Sequence, residues 1–454
     1  MKMNAHCQKQ LEWTDKAEGT VLIVTIWVVL VLAGLALVFA RSMRVAAIVT
    51  ANHLASLHAE CAAEGGMQYV LAQLLLGEES STLEGSTPYE AMQVGRGYFW
   101  VLRSNLEEDR TFDYGLTDEA GRINLNSASL EMLLKLPGMT AELAASIIDW
   151  RDEDSDLSPG GAESEYYLLL SEPYNCKNSA LETVEEVLLI KGASKELLYG
   201  EDTNLNGVLD DNENDADESE PQDNSNGRLE GGFYDYVTVY SVEANTDSSG
   251  GERVNINDRR GDELGNLLRQ AVSGDLYFDV MDRVRSGRPF ANVLDFYYKS
   301  GLKAEEFKPL VDKLTTSDEK ESAGLVNVNT APKEVLLCLP GLEESDADAL
   351  IAHRGDAETE DLESIMWVTE VLDEEKAVAI GAYITTRSFQ YSADIVAVAA
   401  NGRAYKRCRA VIDTREDTPR VVYWKSLTDM GWPLERNIMT SLRAGEASAV
   451  LGMK

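Results

Sequence analysis

The sequence is poor in the residues that most enzymes and many metal centres use. Its 454 residues include five cysteines, which lie far apart, and four histidines. No C-x-x-C pair, H-E-x-x-H motif, G-x-S-x-G motif or phosphate-binding glycine loop occurs. These absences exclude a local zinc site and a dense disulfide framework, although one disulfide stays possible. We therefore expect a protein that is not an enzyme.

Positive charge is also scarce. The chain has 41 Lys and Arg against 78 Asp and Glu, which gives a formal net charge of −37 at pH 7. Because proteins that bind nucleic acid usually present a basic face to the phosphates, we expect no nucleic-acid partner. An excess of carboxylates suits a hard metal ion instead. With 44% hydrophobic residues and a length that allows about three domains, the chain can bury real cores.

One segment near the amino terminus has no charge at all. Residues 21–40 read VLIVTIWVVLVLAGLALVFA, and 20 helical residues are long enough to cross a bilayer. The pattern then continues with apolar residues at helical spacing, so we predict one helix over residues 20–76 whose second half packs on the folded part. A cleaved signal peptide fits less well, because its apolar region is shorter and ends in a small-residue cleavage site.

The middle of the chain contains a repeat. Residues 122–139 resemble residues 325–342, and the two copies share an N-x-N pair and a Leu-Pro-Gly turn. A third copy of the opening half begins at Arg253, but we expect residues 258–323 to be an elaboration. Each full copy predicts a short strand, a capped helix and a Pro-Gly turn into a second helix. This pattern is similar to helix-hairpin-helix modules, but carboxylates follow both turns, so we expect a protein scaffold.

An acidic segment in the centre predicts calcium binding. Residues 202–213 match the twelve-residue calcium loop D-x-N-x-N-G-x-L-D-x-x-E. The predicted Ca²⁺ ligands are the side chains of Asp202, Asn204, Asn206, Asp210 and Glu213 and the backbone carbonyl of Val208. A weaker match predicts either a second calcium site or a turn at Asp223, Ser225, Asn226 and Glu230. Asp152, Asp154 and Asp156 alternate along the chain, and we expect them to form an acidic surface.

Strands are predicted at both ends of the helical region, and residues 388–414 alternate between apolar and polar side chains. Residues 97–104 predict one strand, and residues 388–414 predict a hairpin that turns at Asn401 and Gly402. A further strand is predicted at residues 420–425. Together these strands form an antiparallel sheet, and we expect the amphipathic part of the amino-terminal helix to cover one face.

The ends and the middle of the chain resemble known secretion proteins. A polar leader that ends in Gly19, followed by an uncharged helix and a folded domain, resembles the type IV pilin and pseudopilin class. The motifs DW, PGGAE and YY within residues 147–192, with NVNTAP at residues 327–332, are similar to the K-class minor pseudopilins of type II secretion. Most pilins carry Glu at the fifth mature position. Here Val24 stands at that position when Thr20 is counted as the first residue, as is typical of the K class.

This resemblance implies both a fold and a role. The fold class is α+β, a pilin-like fold with a large α-helical insertion. A prepilin peptidase would cleave between Gly19 and Thr20, and the new amino terminus would be methylated. The protein would be a single-pass inner-membrane protein with its folded part in the periplasm, at the pseudopilus tip. Its partners would be the I- and J-class minor pseudopilins, other pseudopilins and inner-membrane secretion components, with which it would start pseudopilus assembly.

The predicted organisation follows from these features. The segments are a leader (1–19), the amino-terminal helix (20–76), the first part of the sheet domain (77–121), a first helical subdomain with the calcium loop (122–250), a second helical subdomain (251–384), the last strands (385–425) and a tail (426–454). Two alternatives stay open. One is a DNA-binding pilin-like protein of competence or pilus machinery, and the other is an uncleaved membrane-anchored calcium-binding protein.

Overall fold

A computed structural model describes residues 5–76, 89–106, 112–216, 218–258, 260, 262–272 and 274–446. For residues 5–19, 275 and 436 it describes the backbone alone. The first four residues of the predicted leader, the start of the predicted sheet domain at residues 77–88 and the last eight residues of the predicted tail therefore lie outside the described residues.

The chain begins with one long helix, α1 (Ala5–Leu76). Residues Thr20–Leu76 of this helix form the one candidate membrane span among the described residues, judged by length and composition. The side chains of the apolar run are exposed, whereas those from Ala55 onward alternate between exposed and buried at helical spacing. The predicted long helix with an apolar first half and a packed second half is confirmed.

The helix packs on a seven-stranded antiparallel sheet. Its strands are β1 (Met92–Val94), β2 (Gly97–Ser104), β3 (Phe112–Tyr114), β4 (Thr117–Asp118), β13 (Gln390–Ala399), β14 (Tyr405–Asp413) and β15 (Arg420–Ser426). The main path runs β1-β2-β13-β14-β15, so the first strands pair with strands from the end of the chain. The predicted antiparallel sheet and its Asn-Gly hairpin are thus confirmed, and the helical region is an insertion between β4 and β13.

Both faces of the sheet are covered. On one face, Ala62, Met67 and Val70 of α1 pack against Phe99 and Ile395. The helix approaches closely because Gly66 has no side chain, since a Cβ there would lie 2.9 Å from the Phe99 ring. On the other face, Trp100 and Val398 pack against side chains of and near the last helix, α14 (Arg436–Ala444).

The inserted region consists of three units, each closed by a pair of parallel strands. The pairs are β5 (Ile123–Asn124) with β6 (Val237–Thr238), β8 (Val254–Asn255) with β9 (Leu314–Thr315), and β11 (Val326–Asn327) with β12 (Ile384–Thr385). Between the units, β7 (Val242–Ala244) pairs with β10 (Glu321–Ala323) in antiparallel fashion.

Short helices fill the three units. The first contains α2 (Leu130–Leu134), α3 (Ala141–Arg151), α4 (Ser164–Tyr167), α5 (Lys195–Tyr199) and the 3₁₀ turns Val184–Leu189, Asp211–Glu213 and Tyr234–Tyr236. The second contains α6 (Asp262–Ala271), α7 (Gly274–Gly287), α8 (Val293–Ser300) and α9 (Ala304–Val311). The third contains α10 (Lys333–Cys338), α11 (Glu344–Asp356), α12 (Val368–Val371), α13 (Glu374–Ile380) and the 3₁₀ turns Thr359–Glu363 and Ile365–Trp367.

The N-x-N pairs explain why the three units look alike. In each pair the first side chain accepts a hydrogen bond from the backbone N–H of the second, at 2.8 to 2.9 Å. The second side chain then binds the backbone of a distant loop, at Leu181, Phe290 and Leu362 respectively. Residues 258–323 therefore include the helical body of the middle unit.

Buried charges join the sheet to the first unit. Asp394 of β13 accepts two hydrogen bonds from Arg407 of β14, at 3.0 and 2.7 Å, and one from Arg409 at 3.2 Å. Arg409 also donates to the hydroxyl of Tyr234 in the first unit, at 2.8 Å. Such bidentate pairs between guanidinium and carboxylate are strong and directional, so this network fixes how the unit sits on the sheet.

Candidate metal centres

The predicted calcium loop connects the first unit to the sheet. It begins just after α5, and Leu205 buries its side chain in the core of the helical region. Gly207 has φ +64°, a left-handed conformation that glycine adopts without strain. A Cβ at Gly207 would also lie 2.4 Å from the Phe112 ring on β3, so the loop turns directly against the sheet. The position predicted to need glycine therefore needs it for two reasons.

The loop winds around its own polar side chains. Asp202 accepts hydrogen bonds from the backbone N–H groups of Asn206 and Gly207, each at 2.9 Å. The side-chain oxygens of Asn204 and Asn206 likewise accept from backbone N–H groups two residues further on, at 3.0 and 2.7 Å, the second from Val208. These turns fold the predicted ligands at the first, third and fifth positions towards one side of the chain.

Glu213 gives the clearest indication of a cation site in this loop. Its side chain is only 1% exposed, and one oxygen accepts the backbone N–H of Asp210 at 3.0 Å. The other oxygen is buried and accepts no hydrogen bond from the described residues. Burial, followed by the charges of Asp202, Asp210 and Glu201, raises the pKa of Glu213 to about 7. A buried carboxylate without compensation is costly, and a calcium ion would supply the compensation.

The donor set fits calcium, although its carboxylates are not gathered around one point. Asp210 accepts hydrogen bonds from the side-chain amides of Asn204 and Asn206, at 3.0 and 2.7 Å. The oxygens of Asp202, Asp210 and Glu213 do not all lie within 4.8 Å of one another. Binding an ion would therefore exchange the amide contacts of Asp210 for contacts to the metal.

The raised pKa of Glu213 predicts a specific pH dependence. In chelator, the folded state binds this proton more tightly than the unfolded state between pH 4.5 and about 7, so the free energy of unfolding falls as pH rises through that window. Glu213→Gln should remove this part of the pH dependence. Denaturant unfolding at pH 5 and pH 7.5 in chelator measures it, and an identical pH dependence in wild type and variant would contradict the assignment.

The weaker second calcium site has the contacts of a turn. The carboxylate of Asp223 accepts backbone N–H groups from Asp215, Ala216 and Ser225. Asn226 donates to Glu230 at 2.7 Å, and both side chains are exposed or partly exposed. The oxygens of Asp223 and Glu230 belong to no trio of carboxylates within 4.8 Å. Both interpretations given by the sequence stay open, and the contacts favour the turn.

A different trio of carboxylates is gathered in the first unit. Oxygens of Asp152, Asp154 and Glu163 lie within 4.8 Å of one another, and this is the one such group of acidic, histidine or cysteine side chains in the described part of the chain. Glu163 is only 6% exposed, and neither of its carboxylate oxygens accepts a hydrogen bond from a described residue. Asp154 and Asp156 are exposed, as expected of an acidic surface, whereas Asp152 is partly buried and shares a cluster with the buried Glu163.

A fourth acidic residue, Asp149, lies close to this trio. Asp149 is fully buried, and after burial its negative charge is the main cause that raises the pKa of Glu163. Gly161 is required beside it, because a Cβ there would lie 2.0 Å from a carboxylate oxygen of Asp149. Glu163 was not predicted as a partner of Asp152, although it belongs to the PGGAE motif and Asp152 follows the DW motif by two residues. Eleven residues separate them, so only the fold brings them together.

The second of the two helix-hairpin-helix-like turns does not offer a free anion site. Gly138 and Gly341 take left-handed conformations, with φ +70° and +74°, as the predicted turns require. The start of α11 is closed by its own carboxylate, since Asp346 accepts the backbone N–H of Glu343 at 2.9 Å and pairs with Lys376 at 2.7 Å. Phosphate would have to displace a carboxylate there, which weighs against DNA binding.

The cysteines form no disulfide among the described side chains. Cys61, Cys176, Cys338 and Cys408 are all unpaired, and the side chain of Cys7 lies outside the described residues. Gly19 and Thr20, the predicted cleavage site, lie inside α1.

Two family models match this chain, and both are described as type II secretion system (T2SS), protein K. One matches residues 115–199, which contain the trio Asp152, Asp154 and Glu163, and the other matches residues 326–376 in the third unit. Two separate stretches of this chain are thus similar to type II secretion protein K. The K-class resemblance of the sequence is thereby confirmed. Members of this family are structural minor pseudopilins, and the apolar first half of α1 fits a single-pass membrane anchor.

One solved structure is also similar to this chain. It is the crystal structure of the GspK-GspI-GspJ complex from the enterotoxigenic Escherichia coli type 2 secretion system. The identity is 12%, the alignment covers 80% of this chain and 96% of that chain, and the TM-score is 0.35. Comparison with curated proteins gave no match.

Proposed function

We propose that this K-class minor pseudopilin stands at the tip of the pseudopilus and starts its assembly for protein export across the outer membrane. The proposal rests on the order of the structural elements along the chain. A single apolar helix leads into a pilin-like sheet, and this sheet holds the helical units that the two protein K models match. The folded part would lie in the periplasm, and the partners would be the I- and J-class minor pseudopilins and inner-membrane secretion components.

The amino-terminal helix supports a tip position. At the fifth residue from Thr20 the chain has Val24, which lies in the apolar run and is exposed on the helix. In the pilin class a glutamate at this position pairs with the amino terminus of the subunit ahead. A carboxylate without such a partner is costly inside a membrane, and a tip subunit has no subunit ahead. Valine is therefore the residue type expected there.

We also propose that the folded part binds calcium at two places. The first is the loop of residues 202–213, with Asp202, Asn204, Asn206, Val208, Asp210 and Glu213 as ligands. The second is the trio Asp152, Asp154 and Glu163. Both sites use oxygen donors alone, which calcium prefers, and both contain a buried carboxylate oxygen that lacks a hydrogen-bond partner. Calcium would then brace the first unit internally and against the sheet.

Deletion of the gene from its host tests the proposed role. We expect pseudopilus assembly and secretion of the type II cargo to be lost, and to return when the wild-type gene is supplied. As a control, a gene with Asp211→Ala should restore secretion fully, because Asp211 is an exposed loop residue outside the proposed ligand set. Normal assembly and secretion in the deletion strain would overturn the proposal.

A further inference from the structure

A small cavity lies between the predicted calcium loop and the sheet. Its lining includes Asp202 and Gly207 of the loop, Ser104 and Phe112 of β2 and β3, and Arg407 and Arg409 of β14. Its volume of about 20 Å³ is room for one water molecule. The first predicted calcium ligand therefore faces the buried charges of the sheet across a space of molecular size.

Arg407 has one nitrogen that the contacts with Asp394 do not use. The Arg407 side chain is fully buried, and its Nε and Nη2 donate to the two carboxylate oxygens of Asp394 at 3.0 and 2.7 Å. Nη1 is also buried, and it donates no hydrogen bond to a described residue. A buried N–H group without an acceptor is costly. We therefore expect the acceptor of Nη1 in the cavity that Arg407 lines.

Asp202 lines the same cavity with a carboxylate that the loop already holds on one side. It is buried, and its two oxygens accept the backbone N–H groups of Asn206 and Gly207, each at 2.9 Å. An ionised carboxylate has about four lone-pair sites, so these two bonds leave acceptor capacity on both oxygens. Asp202 can therefore bind a calcium ion and still accept a further hydrogen bond from the cavity.

The charges around the cavity favour a neutral occupant. Two acidic residues, Asp202 and Asp235, and two basic residues, Arg407 and Arg409, contribute to the lining, so their formal charges cancel. An ion of either sign would meet as many like charges as opposite charges. A water molecule accepts a hydrogen bond from a guanidinium group, donates one to a carboxylate and fits the volume.

We propose that Arg407 is a positioning residue for the calcium loop, because its Nη1 holds Asp202 in the ligating orientation through one water molecule in this cavity. The inference rests on the proposed calcium loop and goes beyond it, since it makes the calcium affinity depend on a residue of the sheet that touches no ion. Asp394 holds Arg407, and Arg407 orients Asp202. Because such coupling is reciprocal, calcium binding at the loop also stabilises β14 around Arg407.

Calorimetric calcium titration of the full chain in detergent tests this role. Every sample carries Glu163→Gln, so that the loop is the remaining one of the two proposed sites. Arg407→Lys keeps the positive charge, but its single nitrogen cannot replace both the paired contact with Asp394 and the contact with the cavity water. We expect the calcium affinity of the loop to fall about tenfold, as is usual when an outer contact of a metal ligand is lost.

Arg415→Lys is the matched control for this titration. Arg415 makes the same kind of paired contact with Asp413, at 3.0 and 2.7 Å, beyond the other end of β14. It does not line the cavity, so the calcium affinity of this variant should equal that of the Glu163→Gln background. Circular dichroism of both variants checks that they fold.

Hydrogen exchange gives a readout that requires no substitution of Arg407. Calcium added to the Glu163→Gln chain should slow amide exchange at residues 405–409 of β14, and Asp202→Ala should abolish this slowing. Three results would overturn the inference and leave the calcium loop intact: an unchanged affinity in Arg407→Lys, equal losses in Arg407→Lys and Arg415→Lys, or no slowing while calcium binds. If the Glu163→Gln chain binds no calcium, the proposed loop site itself fails, and this inference fails with it.

Discussion

Replacement of Asp394 by alanine is expected to lower the free energy of unfolding by about 3–5 kcal/mol. The Asp394 side chain is 6% exposed and that of its partner Arg407 is fully buried. Burial alone would raise the pKa of Asp394, but the charges of Arg407 and Arg409 outweigh it and hold the pKa below its ordinary value. The variant removes the carboxylate to which both buried guanidinium groups donate hydrogen bonds, which is the costly situation.

The lost stability should affect mainly the junction between the sheet and the first unit. Arg409, which also binds Tyr234, would no longer be held in place by Asp394. Asp113→Ala is the matched control, because Asp113 pairs with Arg103 on the same sheet at 3.4 Å while its side chain is 47% exposed. Exposed pairs contribute about 1 kcal/mol or less. Denaturant unfolding measures both variants, and equal losses would contradict the role given to the buried network.

Removal of calcium is the second change for which we expect a large effect. At free calcium about 100-fold above the dissociation constant, a single bound ion stabilises the folded state by about 2.7 kcal/mol. Chelator should therefore lower the melting temperature of the wild-type chain. In Asp202→Ala the chelator should cause a smaller decrease, because the ion in the loop is no longer bound. Asp202 is the first ligand, and its carboxylate also accepts the N–H groups of Asn206 and Gly207.

Two further variants separate the proposed metal sites. Glu163→Gln should remove the ion of the trio and leave the loop intact, so calorimetric titration should show one ion fewer in each of the two variants Asp202→Ala and Glu163→Gln. Asp211→Ala, in the same loop but outside the ligand set, should behave as wild type. A melting temperature that does not respond to chelator would contradict the calcium proposal at both sites.

The sheet and the long helix could be predicted because their signals are local. The β2 strand was predicted at residues 97–104, as the structure has it. The Asn401-Gly402 turn predicted the hairpin because Gly402 takes φ +60° without strain. The apolar run predicted α1 because no other secondary structure suits twenty uncharged residues in a bilayer.

The middle unit and the carboxylate trio could not be predicted, because their signals are distant in sequence. The middle unit shares the N-x-N pair but lacks the Leu-Pro-Gly turn, so its closing strand at Leu314–Thr315 left no visible repeat. Glu163 meets Asp152 only after the chain passes Gly161, packed against Asp149. The buried network around Asp394 joins residues of β13, β14 and the first unit, and charged residues within strands give no local sign of burial.

The mass of the mature amino terminus tests the central claim most directly. If the chain is a K-class pseudopilin processed by a prepilin peptidase, the protein isolated from membranes of its host should begin at Thr20 and carry a methyl group on the new amino terminus. Replacement of Gly19 by leucine should leave the leader attached. A wild-type protein that retains Met1, or that begins at a position after the apolar run, would contradict the account.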